Sequence, residues 1–83
     1  MPIIDIQATN DFRNARKSLD NSMLLRLQKQ VNKIAENPDI GKPLRYDMKG
    51  ERTIYVKPYR LIYKIEGDTL FLLDFRHRKD VYG

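Results

Sequence analysis

The sequence predicts an α+β domain in which a two-helix hairpin packs on one face of a mostly antiparallel sheet, with the element order β-α-α-β-β-β. Two periodicities predict this class. Apolar residues recur at helical spacing over residues 12–35, and apolar and polar residues alternate as in strands over residues 52–65. A short β-branched run precedes the helices. Two amphipathic helices bury their stripes against one sheet face, so the opposite face is expected to be available for a ligand.

The first elements are a strand and two helices. The run PIIDI predicts a strand at about residues 2–7. Thr9 or Asn10 offers an N-cap oxygen for the first helix, and Asp20 offers one for the second. The apolar stripes of the two helices comprise Phe12, Ala15 and Leu19, and then Leu24, Leu27, Val31, Ile34 and Ala35.

The second half of the chain predicts strands joined by turns. Pro38 and Gly41 interrupt the helical pattern. The stretch LRYD is a candidate short strand, and RTIYV, YRLIYKI and TLFLLDF are predicted as longer strands. The stretch EGDT predicts a hairpin turn centred on Gly67 and Asp68. Because TLFLLDF is the most apolar strand, we expect it at the centre of the sheet.

Size and composition predict one small globular domain spanning residues 1–83, with 41% hydrophobic and 33% charged residues. The absence of cysteine excludes disulfides and thiolate metal ligands and fits a reducing cytoplasm. We expect no signal peptide, and no apolar run approaches the roughly 20 residues of a membrane span.

Charge is distributed unevenly along the chain, whose formal net charge is +5. Residues 1–41 carry six Lys/Arg against five Asp/Glu, whereas residues 42–83 carry ten against six. A basic second half favours an anionic partner, nucleic acid first among them. The alternative is a solvated basic surface without a ligand.

A group of cations is predicted on two neighbouring strands. Arg60 lies within YRLIY, and Arg76, His77 and Arg78 end the last strand. Counting outward from the Gly-Asp turn places residue 60 roughly opposite residues 75 and 76. Like charges in facing positions are unfavourable unless an anion bridges them, and arginine binds phosphate oxygens in pairs. Tyr82 adds a ring on which a nucleobase can stack.

Each of these residues also has an interpretation without a ligand. An arginine at a sheet edge is usually solvated or paired with a carboxylate, and Asp74 and Asp80 are close in sequence. Tyr55 is either a packing residue or a platform for a base. His77 is either a surface residue or a general base, because histidine changes its charge near neutral pH. Three further cations are either solubilising charges or RNA contacts, namely Lys49, Arg52 and Lys57.

Other catalytic chemistries have little support in the sequence. It contains no glycine-rich phosphate loop and no HExxH motif, and a single histidine does not build a metal site. Ser18 and Ser22 lie on predicted helices, far in sequence from His77, which argues against a serine triad. We therefore expect neither a metal nor another cofactor.

Residues 41–82, GKPLRYDMKGERTIYVKPYRLIYKIEGDTLFLLDFRHRKDVY, resemble the RelE/ParE toxin superfamily, and most closely the archaeal RelE-like toxins. The resemblance rests on GKPL after the helical hairpin, YRLIY on the middle strand and the ending HRKDVY. It implies a microbial-RNase-like fold and the toxin half of a type II toxin–antitoxin pair. A RelB-like antitoxin is the implied partner, in a cytoplasmic hetero-oligomer.

The resemblance also implies an activity. RelE-type toxins are ribosome-dependent endoribonucleases that cleave mRNA in the A site of the 70S-type ribosome without a metal. The 2′-hydroxyl of the substrate attacks the adjacent phosphate, which leaves a cyclic phosphate and a free 5′-hydroxyl. Arg60 matches the arginine of the family's YRL motif, and Arg78 matches the arginine near the end, or Arg76 under a shifted alignment. Tyr82 matches the family's terminal tyrosine.

This chain departs from the pattern at one place. The lysines that the best-studied RelE toxins carry on the strand before YRL fall at Thr53 and Tyr55. Two alternatives therefore stay open. One is a ParE-like toxin that inhibits DNA gyrase, and the other is a degenerate member that binds RNA or the ribosome without turnover.

Overall fold

The computed structural model describes residues 3–43 and 50–79. The predicted α+β class and the helical hairpin are confirmed, and the candidate strand LRYD lies outside the described residues. The elements are β1 (Asp5–Ala8), α1 (Asn10–Lys17), α2 (Asn21–Glu36), a 3-10 turn (Pro38–Ile40), β2 (Lys42–Pro43), β3 (Glu51–Val56), β4 (Tyr59–Glu66) and β5 (Thr69–His77).

The strands of the described residues form one mixed sheet in the order β1-β5-β4-β3-β2. The pair β1–β5 is parallel, and the other pairs are antiparallel. The most apolar strand, β5, was expected at the centre of the sheet; it is interior, but β4 occupies the middle, because β5 has only the edge strand β1 on its other side. Gly67 and Asp68 form the turn between β4 and β5, and Gly67 has a φ of +62°, a conformation that favours glycine.

The core lies between the helices and one face of the sheet. On β4, Leu61 and Tyr63 point into it, whereas Arg60, Ile62 and Lys64 alternate onto the other face. We call that other face the open face, because both helices pack on the opposite side. The buried apolar residues are Phe12, Leu27, Val31, Ile34, Val56, Leu61, Tyr63, Leu70, Leu72 and Phe75. In the part of the chain described, no helix is long and apolar enough to cross a membrane.

Side-chain caps start both helices as the sequence predicts. The Thr9 hydroxyl accepts a hydrogen bond from Phe12 N at 3.1 Å, and the Asp20 carboxylate accepts one from Met23 N at 2.8 Å. Thr9 has a second task. Its hydroxyl donates to the carbonyl of Leu73 at 2.6 Å, and Leu73 is the extra residue of a β-bulge in β5.

We expect Thr9→Ala to lower the free energy of unfolding by about 1–2 kcal/mol, because it removes a helix cap and the partner of the Leu73 carbonyl. Urea denaturation followed by circular dichroism measures this change. Thr9→Ser keeps the hydroxyl and serves as the matched control. Equal midpoints for the alanine and serine variants would show that the hydroxyl contributes nothing.

Candidate functional site

Strand register brings three site residues into one row on the open face. Arg60 pairs with Arg76 on β5 and with Tyr55 on β3. The position of Arg76 depends on the bulge, since Ile62 pairs with Asp74 whereas the next residue of β4 pairs with Leu72. A strand without the extra residue would place Phe75 across from Arg60 and turn Arg76 to the helix side.

Arg60 is held by an aromatic ring. Its guanidinium carbon lies 4.6 Å from the centroid of the Tyr55 ring, which is a cation–π contact. Arg60 is half-buried and Tyr55 is exposed. Both border a shallow pocket of about 330 Å³ in the sheet. The pocket is lined by Ile40, Lys42, Thr53, Ile54, Tyr55 and Arg60. The ring thus fixes one cation at the rim of a cavity before any ligand binds.

Arg76 is partly neutralised by the protein itself. Its Nε donates to the Asp74 carboxylate in a short ion pair. That carboxylate is itself fixed, because it also accepts a hydrogen bond from Phe75 N at 2.9 Å. Arg76 is therefore an arginine paired with a carboxylate, as one interpretation of the sequence had it. Its charge is less available to an anion than its position suggests.

The end of β5 adjoins the turn between β3 and β4. The backbone N–H of Arg78 donates to the carbonyl of Pro58 at 2.8 Å, and the side chains of Arg78 and Lys57 are both exposed there. This contact gathers two more of the predicted cations at the end of the sheet where Arg60 and Arg76 lie. Tyr82 lies outside the described residues.

His77 lies on the other face from Arg60 and Arg76. It pairs with Tyr59, and the two rings meet edge-on with their centroids 5.7 Å apart. Its Nδ1 accepts a hydrogen bond from Lys79 N at 3.4 Å. The structure therefore does not bring this imidazole together with the arginine row.

Arg52 is used within the fold. It pairs with Tyr63, so its side chain leaves β3 on the helix side. Its guanidinium donates to the Gly41 carbonyl at 2.7 Å and lies 3.5 Å from a carboxylate oxygen of Asp39. A role of Arg52 in RNA binding stays a prediction from sequence, and its contacts are those of a structural residue. Lys49 lies outside the described residues.

A buried tyrosine fixes the segment that leads into β2. The Tyr63 hydroxyl donates to the Pro38 carbonyl at 2.7 Å and accepts from the Gly41 N–H at 3.0 Å. Burial raises the pKa of the Tyr63 phenol, and the hydrogen bond from Gly41 acts in the opposite direction. A Cβ on Gly41 would lie 2.6 Å from the Tyr63 oxygen, so the close approach requires glycine.

Two cations of the open face were not predicted as site residues from the sequence. Lys42 pairs with Thr53, which places it on the open face beside the pocket. Lys64 lies 5.6 Å from the Phe71 ring centroid and 3.6 Å from the Glu66 carboxylate. The alternation of β4 already indicated the face of Lys64. Nothing in the sequence pattern indicates the face of Lys42, because β2 is only two residues long.

Comparison with known proteins gives one family and a set of similar folds. The sequence profile described as "ParE toxin of type II toxin-antitoxin system, parDE" matches residues 3–82. No curated protein sequence matches significantly. Among solved structures, a chain of the RelBE2 toxin–antitoxin complex from Mycobacterium tuberculosis is 26% identical, with a TM-score of 0.78 over 94% of this chain and 100% of that one.

Two further structures support the fold at lower identity. The YoeB/ParE toxin from Agrobacterium tumefaciens is 18% identical, with a TM-score of 0.79 over 89% of this chain and 98% of that chain. A chain of the RelB–RelE antitoxin–toxin complex from Methanococcus jannaschii is 21% identical, with a TM-score of 0.72 over 92% and 94% of the two chains. The shared feature is a helical hairpin on a mixed sheet.

Proposed function

Because this chain belongs to the ParE toxin family of type II toxin–antitoxin systems, we propose that it is a ribosome-dependent endoribonuclease that cleaves mRNA in the A site. One observation carries the proposal. Arg60 and Arg76 face each other on the open face, and Arg60 is held over Tyr55 at the rim of a pocket. A cation fixed at a cavity favours an anionic ligand such as an RNA phosphate, and Arg76 adds to this the part of its charge that Asp74 does not offset.

The proposed chemistry is transesterification within the message. The 2′-oxygen of the substrate forms a bond to the adjacent phosphorus and gives up its proton. The bond from phosphorus to the 5′-oxygen breaks, and that oxygen takes up a proton. Negative charge grows on the phosphate oxygens during this step, and fixed cations stabilise it most when they are positioned beforehand. Arg60 is the leading candidate for this task, and Arg78 and Tyr82 remain proposed contributors.

The second candidate function is gyrase inhibition without RNA cleavage. It is favoured by the family match, since the matching profile is that of ParE toxins. We expect gyrase inhibition not to require Arg60, Arg78 and Tyr82. A loss of toxicity on removing them therefore separates the two functions.

The deciding experiment adds the purified protein to a translating bacterial extract and maps message ends by primer extension. We expect cleavage at codon positions, and we expect the message to stay intact with Arg60→Ala/Arg78→Ala. Arg26→Ala/Lys29→Ala removes two exposed charges from α2 and serves as the matched control. A gyrase supercoiling assay uses the same preparations. Intact message together with inhibited gyrase would overturn the nuclease proposal, and ribosome binding without cleavage would indicate the degenerate member.

We also propose that the physiological partner is a RelB-like antitoxin with an acidic or amphipathic segment that covers or distorts the cationic open face. The net charge of +5 supports a partner of opposite charge. Co-expression with a neighbouring small gene, followed by affinity purification, tests this. If the partner is bound by Arg60→Ala as tightly as by the wild-type protein at low and high salt, the arginine face is not its site.

A further inference from the structure

We propose that Lys42 and Thr53 complete a phosphate-binding subsite with Arg60, in which one RNA phosphate is held over the pocket between β2 and β4. The inference deepens the proposed function and rests on it. Open-face positions of β3 are occupied by Glu51, Thr53 and Tyr55, so this strand contributes no cation there. Lys42 supplies a cation from the neighbouring strand instead.

The geometry places the two cations on opposite sides of the pocket. Lys42 pairs with Thr53, and Arg60 pairs with Tyr55 two residues further along β3. Strands that flank a common neighbour lie about 10 Å apart. A lysine and an arginine side chain can bridge this distance when both bind an anion that lies between them. Lys42 is exposed and Arg60 is half-buried. A phosphate between them would therefore meet one mobile and one fixed cation.

The pocket is bordered by a buried hydroxyl, that of Thr53, which has no hydrogen-bond partner in the part of the chain described. Thr53 is 8% exposed, and within residues 3–43 and 50–79 its hydroxyl makes no hydrogen bond. A buried hydroxyl without a partner destabilises a fold by about 1–3 kcal/mol, so native proteins seldom keep one. The same hydroxyl borders the pocket that Lys42 and Arg60 line. A phosphate oxygen bound there would accept its hydrogen bond.

The backbone that carries Lys42 is held in place by three hydrogen bonds. Tyr63 bridges Pro38 and Gly41, and Arg52 donates to the Gly41 carbonyl at 2.7 Å. These contacts end at the residue directly before Lys42. A ligand-binding side chain on a fixed backbone loses less entropy when it binds. This arrangement assigns Arg52 a positioning role behind the subsite.

The experiment measures binding of a short fluorescein-labelled 2′-O-methyl RNA by fluorescence anisotropy over a salt series. Such RNA lacks the attacking hydroxyl, so binding is separated from cleavage and from the ribosome. For Lys42→Ala we expect the magnitude of the negative slope of log K against log salt to decrease by about 0.7, the value for one phosphate contact on a single strand. Lys42→Arg should restore the slope, and Lys29→Ala, on the exposed side of α2, should keep it.

Thr53→Val provides the second, independent variant. It replaces the hydroxyl by a methyl group of similar shape, so we expect RNA affinity to fall while the free energy of unfolding stays equal or rises. An unchanged salt slope for Lys42→Ala, or unchanged affinity for Thr53→Val, would overturn the inference. The two proposals can fail separately. If Arg60→Ala/Arg78→Ala abolishes message cleavage whereas Lys42→Ala keeps both cleavage and the salt slope, the subsite is wrong and the nuclease proposal is still supported.

Discussion

Arg60→Ala is expected to lower the rate of message cleavage by about 100-fold or more, the effect of removing one fixed group that stabilises charge in a transition state. Arg60 faces Arg76, lies over Tyr55 and borders the pocket, so its loss removes the best-positioned cation of the open face. Cleavage rates in a translating extract at saturating protein measure the effect, and urea denaturation verifies that the variant is folded.

Two further arginine variants sharpen this test. Arg60→Lys keeps the charge but loses the planar fork, so we expect a rate between those of the wild type and the alanine variant. Arg76→Ala should lose less than Arg60→Ala, because Asp74 already neutralises Arg76. If Arg76→Ala proved the more damaging change, or if Arg60→Ala cleaved at the wild-type rate, the proposed assignment of the leading cation would be wrong.

Tyr63→Phe is expected to lower the free energy of unfolding by about 1–3 kcal/mol, because it deprives two backbone groups of their partner. The Pro38 carbonyl loses its donor, and the buried Gly41 N–H loses its acceptor. Tyr59→Phe is the matched control, since the Tyr59 hydroxyl makes no hydrogen bond within the described ranges. Urea denaturation midpoints compare the two variants. A loss in Tyr59→Phe equal to that in Tyr63→Phe would show that the bridge is not responsible.

The same tyrosine predicts a dependence of stability on pH. Burial raises the pKa of the folded Tyr63 phenol above its ordinary value of 10.0. The stabilisation is fully present below the unfolded pKa, and it is lost as pH rises through the folded pKa, because the unfolded chain releases this proton first. Stability should therefore fall more steeply above pH 10 in the wild type than in Tyr63→Phe. Parallel pH profiles would contradict this.

The row of Arg60 and Arg76 illustrates how far the sequence determines a site. Counting from the turn at Gly67 and Asp68 brought residue 60 opposite residues 75 and 76, and the structure places it opposite Arg76. The choice between the two depends on the bulge at Leu73. Apolar residues run through TLFLLDF without alternation, so the pattern gives no sign of where an extra residue enters.

Other features depend on contacts that no local pattern contains. The face of Lys42 follows from the pairing of a two-residue strand, and the segment that leads into this strand is hydrogen-bonded by Tyr63, which is 22 residues away from Gly41 in sequence. Arg52 is basic and begins the predicted strand RTIYV, yet its partners are the carbonyl of Gly41 and the carboxylate of Asp39. The sequence identifies charged residues and the periodicity of apolar positions, whereas tertiary packing determines which group a charged side chain contacts.

The parallel pairing of β1 with β5 governs when the domain can fold during its own synthesis. The hydroxyl of Thr9, directly after β1, reaches a partner 64 residues later, in the interior strand. Until β5 has left the ribosome, β1 has no neighbour, β4 has one free edge and Arg60 lacks its partner Arg76. A nascent chain that lacks β5 is therefore without Arg76 and without the β4–β5 pairing that completes the arginine row of the open face.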